Sequence, residues 1–306
     1  MGNLEILDQY TLNFNRGGLL LLNITLGIVM FGVALGIDLS NFKDIIKKPK
    51  SLILGLISQF VLLPAVTFLL IFILKPSEGV ALGMILVASC PGGNISNFIS
   101  SLAKANIELS VSLTGVSTML SIFLTPINFA FWGSLYVSSS PLLKPIEIDF
   151  FQMFQTVVLI LGIPLIIGIF FSKKFKELTK KIQKPIKIIS IIIFAGFVIG
   201  ALYNNITLFL KFIHLIILIV FLHNSLALLS GYFFARIFKL KQKERKTLSI
   251  ETGIQNSGLA LVLIFNPNIF PPELKIGGMA FIAAWWGIWH IISGMAIAYF
   301  WGRKNK

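Results

Sequence analysis

The chain has 306 residues, 56% of them apolar and only 12% charged, with a net charge of +14. Soluble domains carry about a quarter charged residues, so this composition argues against an ordinary water-soluble enzyme or nucleic-acid binder. The single cysteine, Cys90, excludes an internal disulfide framework and any multi-cysteine metal site.

Residues 1–16 contain Glu5, Asp8 and Arg16 but no short apolar core with a small-residue cleavage site. They read as an extracellular N-terminal segment, not as a secretory signal. A helix needs ~20 apolar residues to cross a hydrocarbon core of about 30 Å. Nine such spans are expected, over residues 17–38, 51–74, 80–104, 108–133, 151–172, 187–206, 210–236, 248–265 and 277–301, with 302–306 as a tail. None alternates apolar and polar residues as a transmembrane barrel requires. Of 26 Lys and Arg residues, 21 fall in the odd-numbered gaps or at the C-terminus. Basic loops stay in the cytoplasm. The expectation is therefore an all-α polytopic protein of the cell membrane (an inner membrane in a bacterium), with its N-terminus outside and its C-terminus in the cytoplasm. The lysine run between Lys173 and Lys187 belongs to this bias and is not read as a nucleic-acid or lipid site.

The third and eighth spans are not ordinary helices. The third carries Cys90-Pro91-Gly92-Gly93-Asn94-Ile95-Ser96-Asn97, in which proline and paired glycines interrupt the helical ladder. The eighth carries Glu251-Thr252-Gly253-Ile254-Gln255-Asn256-Ser257-Gly258. At 1.5 Å per residue, Pro91 lies about 16 Å beyond Val80, and Gln255 about 10–12 Å beyond Leu248. Both breaks fall near the bilayer midplane, on spans of opposite polarity. Unwound backbone survives at that depth only where protein or a filled cavity satisfies it. Spans 2–4 and 7–9 then form matching triplets, each with a central broken helix, which is the pattern of an inverted-repeat transporter.

Glu251 is the strongest single signal, because a charge at a span's centre costs ~2.5–3.5 kcal/mol on insertion scales. No Lys or Arg lies in the central part of any span. The balancing charge is a bound cation, a proton, or a distant basic side chain. A sodium-like ion needs hard oxygen donors, and Gln59, Ser96, Asn97, Ser110, Thr114 and Gln255 supply them. Ser110 and Thr114 are spaced i, i+4, as are Glu251 and Gln255, so each pair shares a helix face. Ser112, Ser117 and Thr118 are expected to bond back to their own helix.

These stretches, with Leu109-Ser110 through Thr118 and the continuation to Leu259-Ala260, closely resemble the bile acid:sodium symporter family. Ile28-Val29-Met30-Phe31-Gly32, Gln59-Phe60, Leu222-His223-Asn224 and Trp289-His290 through Ser293-Gly294 also fall where that family has similar stretches. The resemblance implies a panel domain (17–38 and 151–206) and a core domain (51–133 and 210–301), with an organic anion, such as a bile acid or small carboxylate, bound between them. It implies two Na⁺ sites. One would use Ser96, Asn97, Ser110, Thr114 and Glu251. The other would use Gln59, Glu251, Gln255 and the carbonyls of Thr252 and Ile254. Asn94 and Asn256 occupy positions where members touch substrate, and His290 and Ile291 lie on the same crevice. Ile291 departs from relatives that carry asparagine there. The nine-span form resembles the animal members rather than ten-span bacterial ones.

The expected function is sodium-coupled import of that anion by alternating access. The alternative is a proton-coupled or arsenite-type exporter, for which Cys90 would supply a thiolate. Enzyme activity is not expected: His214, His223 and His290 have no carboxylate spaced for metal binding. His223 and His290 are expected to hydrogen-bond within helix interfaces. Gly32 to Gly36 is a small-residue spacing that suits intrachain packing or a dimer seam.

Overall fold

The computed structural model describes residues 4–8, 16–35, 49–93, 95–138, 150–204, 206–266, 269–270 and 277–303. Its elements are α1 (Glu5–Asp8), α2 (Arg16–Leu35), α3 (Pro49–Leu74), α4 (Glu78–Ser89), α5 (Ile95–Leu102), α6 (Ile107–Ser138), α7 (Phe150–Lys174), α8 (Lys176–Asn204), α9 (Ile206–Ile237), α10 (Gln242–Gly253), α11 (Ser257–Ile264) and α12 (Gly277–Arg303). Among the described residues there is no strand, only one isolated bridge. Among the described residues five helices, α3, α6, α7, α9 and α12, are long and apolar enough to cross a membrane. Their outer faces leave Ile73, Phe151, Ile166 and Ile237 exposed, which only lipid or a partner would tolerate in such number.

Each expected span overlaps described helix, with instructive differences at the ends. α8 begins at Lys176 instead of residue 187. The lysine-rich stretch is made of good helix formers, and Glu177 in the first turn pairs with Lys180 at 2.8 Å. The third and eighth spans are each two helices, as the breaks require.

Prolines shape α3 and α7 in the same way. Each contains a π turn, Ser58–Leu62 and Val158–Gly162, closing just before Pro64 and Pro164. A proline lacks the N–H and clashes with the carbonyl four residues back, and the wider turn relieves that clash. In α3 the bulge carries Gln59 into the buried interior.

α2 lies against α7 and α8, while α4 packs on α3, α6 and α12, and α10 packs on α9. A Cβ on Gly168 of α7 would run into the side chain of Ala34. The small-residue face of α2 is therefore an intrachain contact at Ala34; Gly36 lies outside the described residues. α5 and α9 are each followed by a left-handed lysine, Lys104 (φ 51°) and Lys239 (φ 59°). Both ends close Schellman-type bonds, Ala105 N–H to Ser100 O at 2.9 Å and Leu240 N–H to Ala235 O at 3.0 Å.

At either end of α12 an ionisable side chain meets helix termini, Asp8 half-buried and Lys246 buried. On α1, Asp8 Oδ2 accepts from Gly79 N at 3.2 Å, against the N-terminus of α4 and beside Gly278 of α12. At the opposite ends of α5 and α12, Lys246 Nζ donates to Ala103 O at 3.1 Å and Trp301 O at 3.2 Å. An anion at helix N-termini and a cation at C-termini are the favourable pairings with the helix dipole.

Candidate functional site

The site forms where the two broken helices meet. Before Pro91 the chain must leave the helical region, and Cys90 is extended at φ −75°, ψ 157°. After Gly253, Ile254 leaves it too, at φ −109°, ψ 88°. The two freed segments pair with each other. Gly93 N–H donates to Ile254 O at 2.7 Å, Asn256 N–H donates to Pro91 O at 2.8 Å, and Gly92 and Gln255 form an antiparallel bridge. Buried backbone groups that water does not reach are satisfied in this way. The approach needs glycine: a Cβ on Gly93 would stand 3.1 Å from Gln255 O, and one on Gly92 would stand 2.9 Å from Glu251 Oε2.

Glu251 is the hub, at the last full turn of α10 and fully buried. Its Oε1 accepts from Ser96 Oγ at 2.6 Å and Ser110 Oγ at 2.5 Å. Its Oε2 accepts from Thr114 Oγ1 at 3.1 Å and Gln59 Nε2 at 3.4 Å. Asn97 joins from α5, its Oδ1 lying 2.9 Å from Ser110 Oγ and 3.2 Å from Thr114 Oγ1, within reach of either hydroxyl when that hydroxyl turns away from Glu251. Residues from α3, α5, α6 and α10 thus converge on one carboxyl group. Among the described residues Glu251 has no Lys or Arg within ion-pair distance, and no cluster of three His, Cys, Asp or Glu occurs.

The second group of expected ligands meets the same acid through Gln59. Thr252 O accepts from Gln255 Nε2 at 2.8 Å, and Ile254 O from Gly93 N. Among the described residues, Gln59 Oε1 and Gln255 Oε1 are buried without a hydrogen-bond partner. A buried acceptor left unpaired costs about 1–3 kcal/mol. Gln59 also reaches Glu251 through its Nε2, and unpaired oxygens of this kind suit a hard cation, which satisfies acceptors left without a donor. The hydroxyls around Glu251 keep lone pairs free while they donate to it. The donor set therefore fits an alkali-metal ion: one negative charge and neutral oxygens, with no thiolate or imidazole.

Asn94 lies outside the described residues. Asn256 caps α11, its Oδ1 accepting from Leu259 N at 3.0 Å. His290 is buried and its Nδ1 meets the carbonyl of Trp286 at 2.7 Å, whereas Ile291 is exposed on α12. Neither touches Glu251 or its ring of oxygens. His223 bonds Thr67 Oγ1 at 2.7 Å across the α9–α3 interface, as expected of an interface histidine. Ser112, Ser117 and Thr118 bond back to carbonyls of α6.

Three further residues at the site are not among those that sequence reasoning places there. Ser58 bonds Thr252 Oγ1 at 2.7 Å, Ser100 lies 3.1 Å from Ser110 Oγ, and Asn224 Nδ2 donates to Gly253 O at 2.7 Å. Asn224 carries a signal, a polar amide in the middle of a long apolar run.

Comparison with known proteins bears on this arrangement. The model of the sodium bile acid symporter family matches residues 23–212. An uncharacterized sodium-dependent transporter of Bacillus subtilis, YocS, is 32% identical over 288 residues, covering 93% of this chain and 84% of its own. A probable chloroplastic sodium/metabolite cotransporter of Arabidopsis thaliana, BASS1, is 30% identical over 78% of this chain and 57% of its own. Sodium/bile acid cotransporter 4 of Mus musculus is 28% identical over 87% of this chain. The chain spans only 59% of that mouse protein's length.

Proposed function

This chain belongs to the sodium bile acid symporter family, a family of membrane transporters rather than enzymes, and from that premise we propose that it imports an organic anion together with sodium by alternating access. The carrying observation is Glu251: a fully buried acid ringed by neutral hydroxyls, with Gln59 Oε1 and Gln255 Oε1 buried and without a donor among the described residues.

In this reading the chain crosses the membrane nine times, with the N-terminus outside. Residues 17–38 and 151–206 form the panel, and 51–133 and 210–301 the core. One Na⁺ sits among Ser96, Asn97, Ser110, Thr114 and Glu251. A second sits among Gln59, Glu251, Gln255 and the carbonyls of Thr252 and Ile254. Glu251 contributes −1, two Na⁺ contribute +2 and a monovalent anion −1, so the loaded core is neutral. Moving two Na⁺ with one anion carries one net positive charge, worth ~2.3 kcal/mol per 100 mV of membrane potential.

Sodium at Glu251 removes the charge that would repel an anion and braces the two breaks against each other. The anion then lies in the crevice between core and panel, with Asn94, Asn256, His290 and Ile291 along it. Half-helix N-termini at the breaks, that of α11 among them, add a favourable dipole. Bile-acid-like steroid anions and small carboxylates both suit a crevice of two amides and apolar neighbours.

The test is uptake by the purified protein in proteoliposomes, with a bile acid and pantoate as labelled probes. Accumulation is expected with external Na⁺ and not when choline replaces it. Glu251→Gln is expected to insert normally and lose the sodium stimulation by about 10- to 100-fold, the range for a lost charged hydrogen bond. Uptake unchanged in choline, or coupled uptake by Glu251→Gln at the wild-type level, overturns the reading.

A further inference from the structure

Asn224 of α9 is fully buried and uses both ends of its amide across two other helices. Its Nδ2 donates to Gly253 O at 2.7 Å, and its Oδ1 accepts from Ser293 Oγ of α12 at 2.6 Å. A backbone carbonyl can only accept, so the amide can be oriented in one way only.

The position of Gly253 gives this bridge its meaning. Three successive carbonyls at the end of α10 have lost their helical partners, and each is held by something different. Thr252 O is held by Gln255, Gly253 O by Asn224, and Ile254 O by Gly93. The outer two are the carbonyls assigned above to the second sodium. The middle one is held from α9. Successive peptide planes meet at a Cα with only two soft torsions between them, so anchoring the middle carbonyl restricts how its two neighbours can turn. On the far side of the bridge, Ser293 is three residues beyond His290 and two beyond Ile291, on the stretch of α12 assigned to the anion crevice.

The geometry points to Asn224 as a positioning residue that couples the cation side of the protein to the anion side. It fixes the carbonyls that receive sodium and ties them, through Ser293, to the crevice face of α12. A sodium ion drawing on Thr252 O and Ile254 O therefore reaches α12 by a chain of two hydrogen bonds, and by linkage α12 acts back on sodium affinity to the same degree. This inference rests on the sodium reading proposed above.

Thermal unfolding of the purified protein tests it without any transport assay. Midpoints are followed against NaCl at constant ionic strength, with choline chloride making up the balance, for the wild type, Asn224→Leu, Ser293→Ala and Ser293→Thr. A ligand that binds only the folded state raises the midpoint with its concentration. The sodium concentration for half-maximal stabilisation is expected to rise about tenfold in Asn224→Leu and about threefold in Ser293→Ala, as for one or two lost neutral hydrogen bonds. Ser293→Thr, which keeps the hydroxyl, is expected at the wild-type value. A purely structural role would lower every midpoint equally and leave the sodium dependence in place, and that result overturns the inference. Should Asn224→Leu fail to fold, the Ser293 pair decides alone. A wild type without any sodium response overturns the sodium reading as well, whereas a responsive wild type with unshifted variants overturns only the role of Asn224.

Discussion

Gly92 backs directly onto Glu251: a Cβ at Gly92 would stand 2.9 Å from Glu251 Oε2 and 3.1 Å from Gln59 Nε2. The glycine at the first break thus leaves room for the acid at the second, which lies 159 positions later in the chain.

Gly92→Ala is accordingly expected to displace the carboxylate and the Gln59 amide, at about 1–3 kcal/mol, the usual range for overpacking. The sodium concentration for half-maximal thermal stabilisation should rise about tenfold in this variant. Gly27→Ala is the control, since its Cβ would meet only Pro164 Cγ at 3.7 Å. A wild-type sodium dependence in Gly92→Ala would contradict the packing described.

Cys90 is fully buried next to the first break, packed with Val87 and Ala88 in the main apolar core. It serves as a small core residue. Cys90→Ser is expected to retain sodium-coupled anion uptake while lowering the thermal midpoint, because the hydroxyl is harder to bury than the thiol. Loss of uptake with folding intact would instead favour a thiolate-dependent exporter.

Asp8 offers a pH test. Burial raises its carboxyl above the ordinary 3.8, outweighing the Gly79 amide and the Ser77 hydroxyl, which favour the charged form. The folded protein therefore holds this proton more tightly than the unfolded chain. The resulting stabilisation is complete below pH 3.8 and is lost as the pH rises through the folded value. Asp8→Asn keeps an acceptor for Gly79 N and cannot ionise. Its thermal midpoint is expected to fall less steeply over that window than the wild type's, and an unchanged slope would contradict this.

Much of the site is legible without any fold, because membrane depth makes polar residues conspicuous. Glu251, Gln59, Ser96, Ser110 and Thr114 stand out against apolar neighbours, and the i, i+4 spacing already puts Ser110 with Thr114 on one face. The start of α8 escapes such reading because hydropathy marks where lipid begins, whereas the helix runs on through lysines that favour it equally. Lys246 escapes it for a related reason. It lies in a basic run that reads as solvated, yet it is buried beneath Trp301 and caps two helices.

Sequence alone determined what could not be paired locally: an acid without a base, two interrupted helices, and hydroxyls at helical spacing within apolar runs. Those features follow from composition along the chain, where burial in lipid makes each one expensive. Which groups satisfy them was decided only by the tertiary structure. The bonds from Gly93 to Ile254 and from Asn224 to Gly253, and the Asn224–Ser293 bridge, join residues far apart in sequence, and hydrogen bonds depend on distances of a fraction of an ångström that no linear pattern encodes.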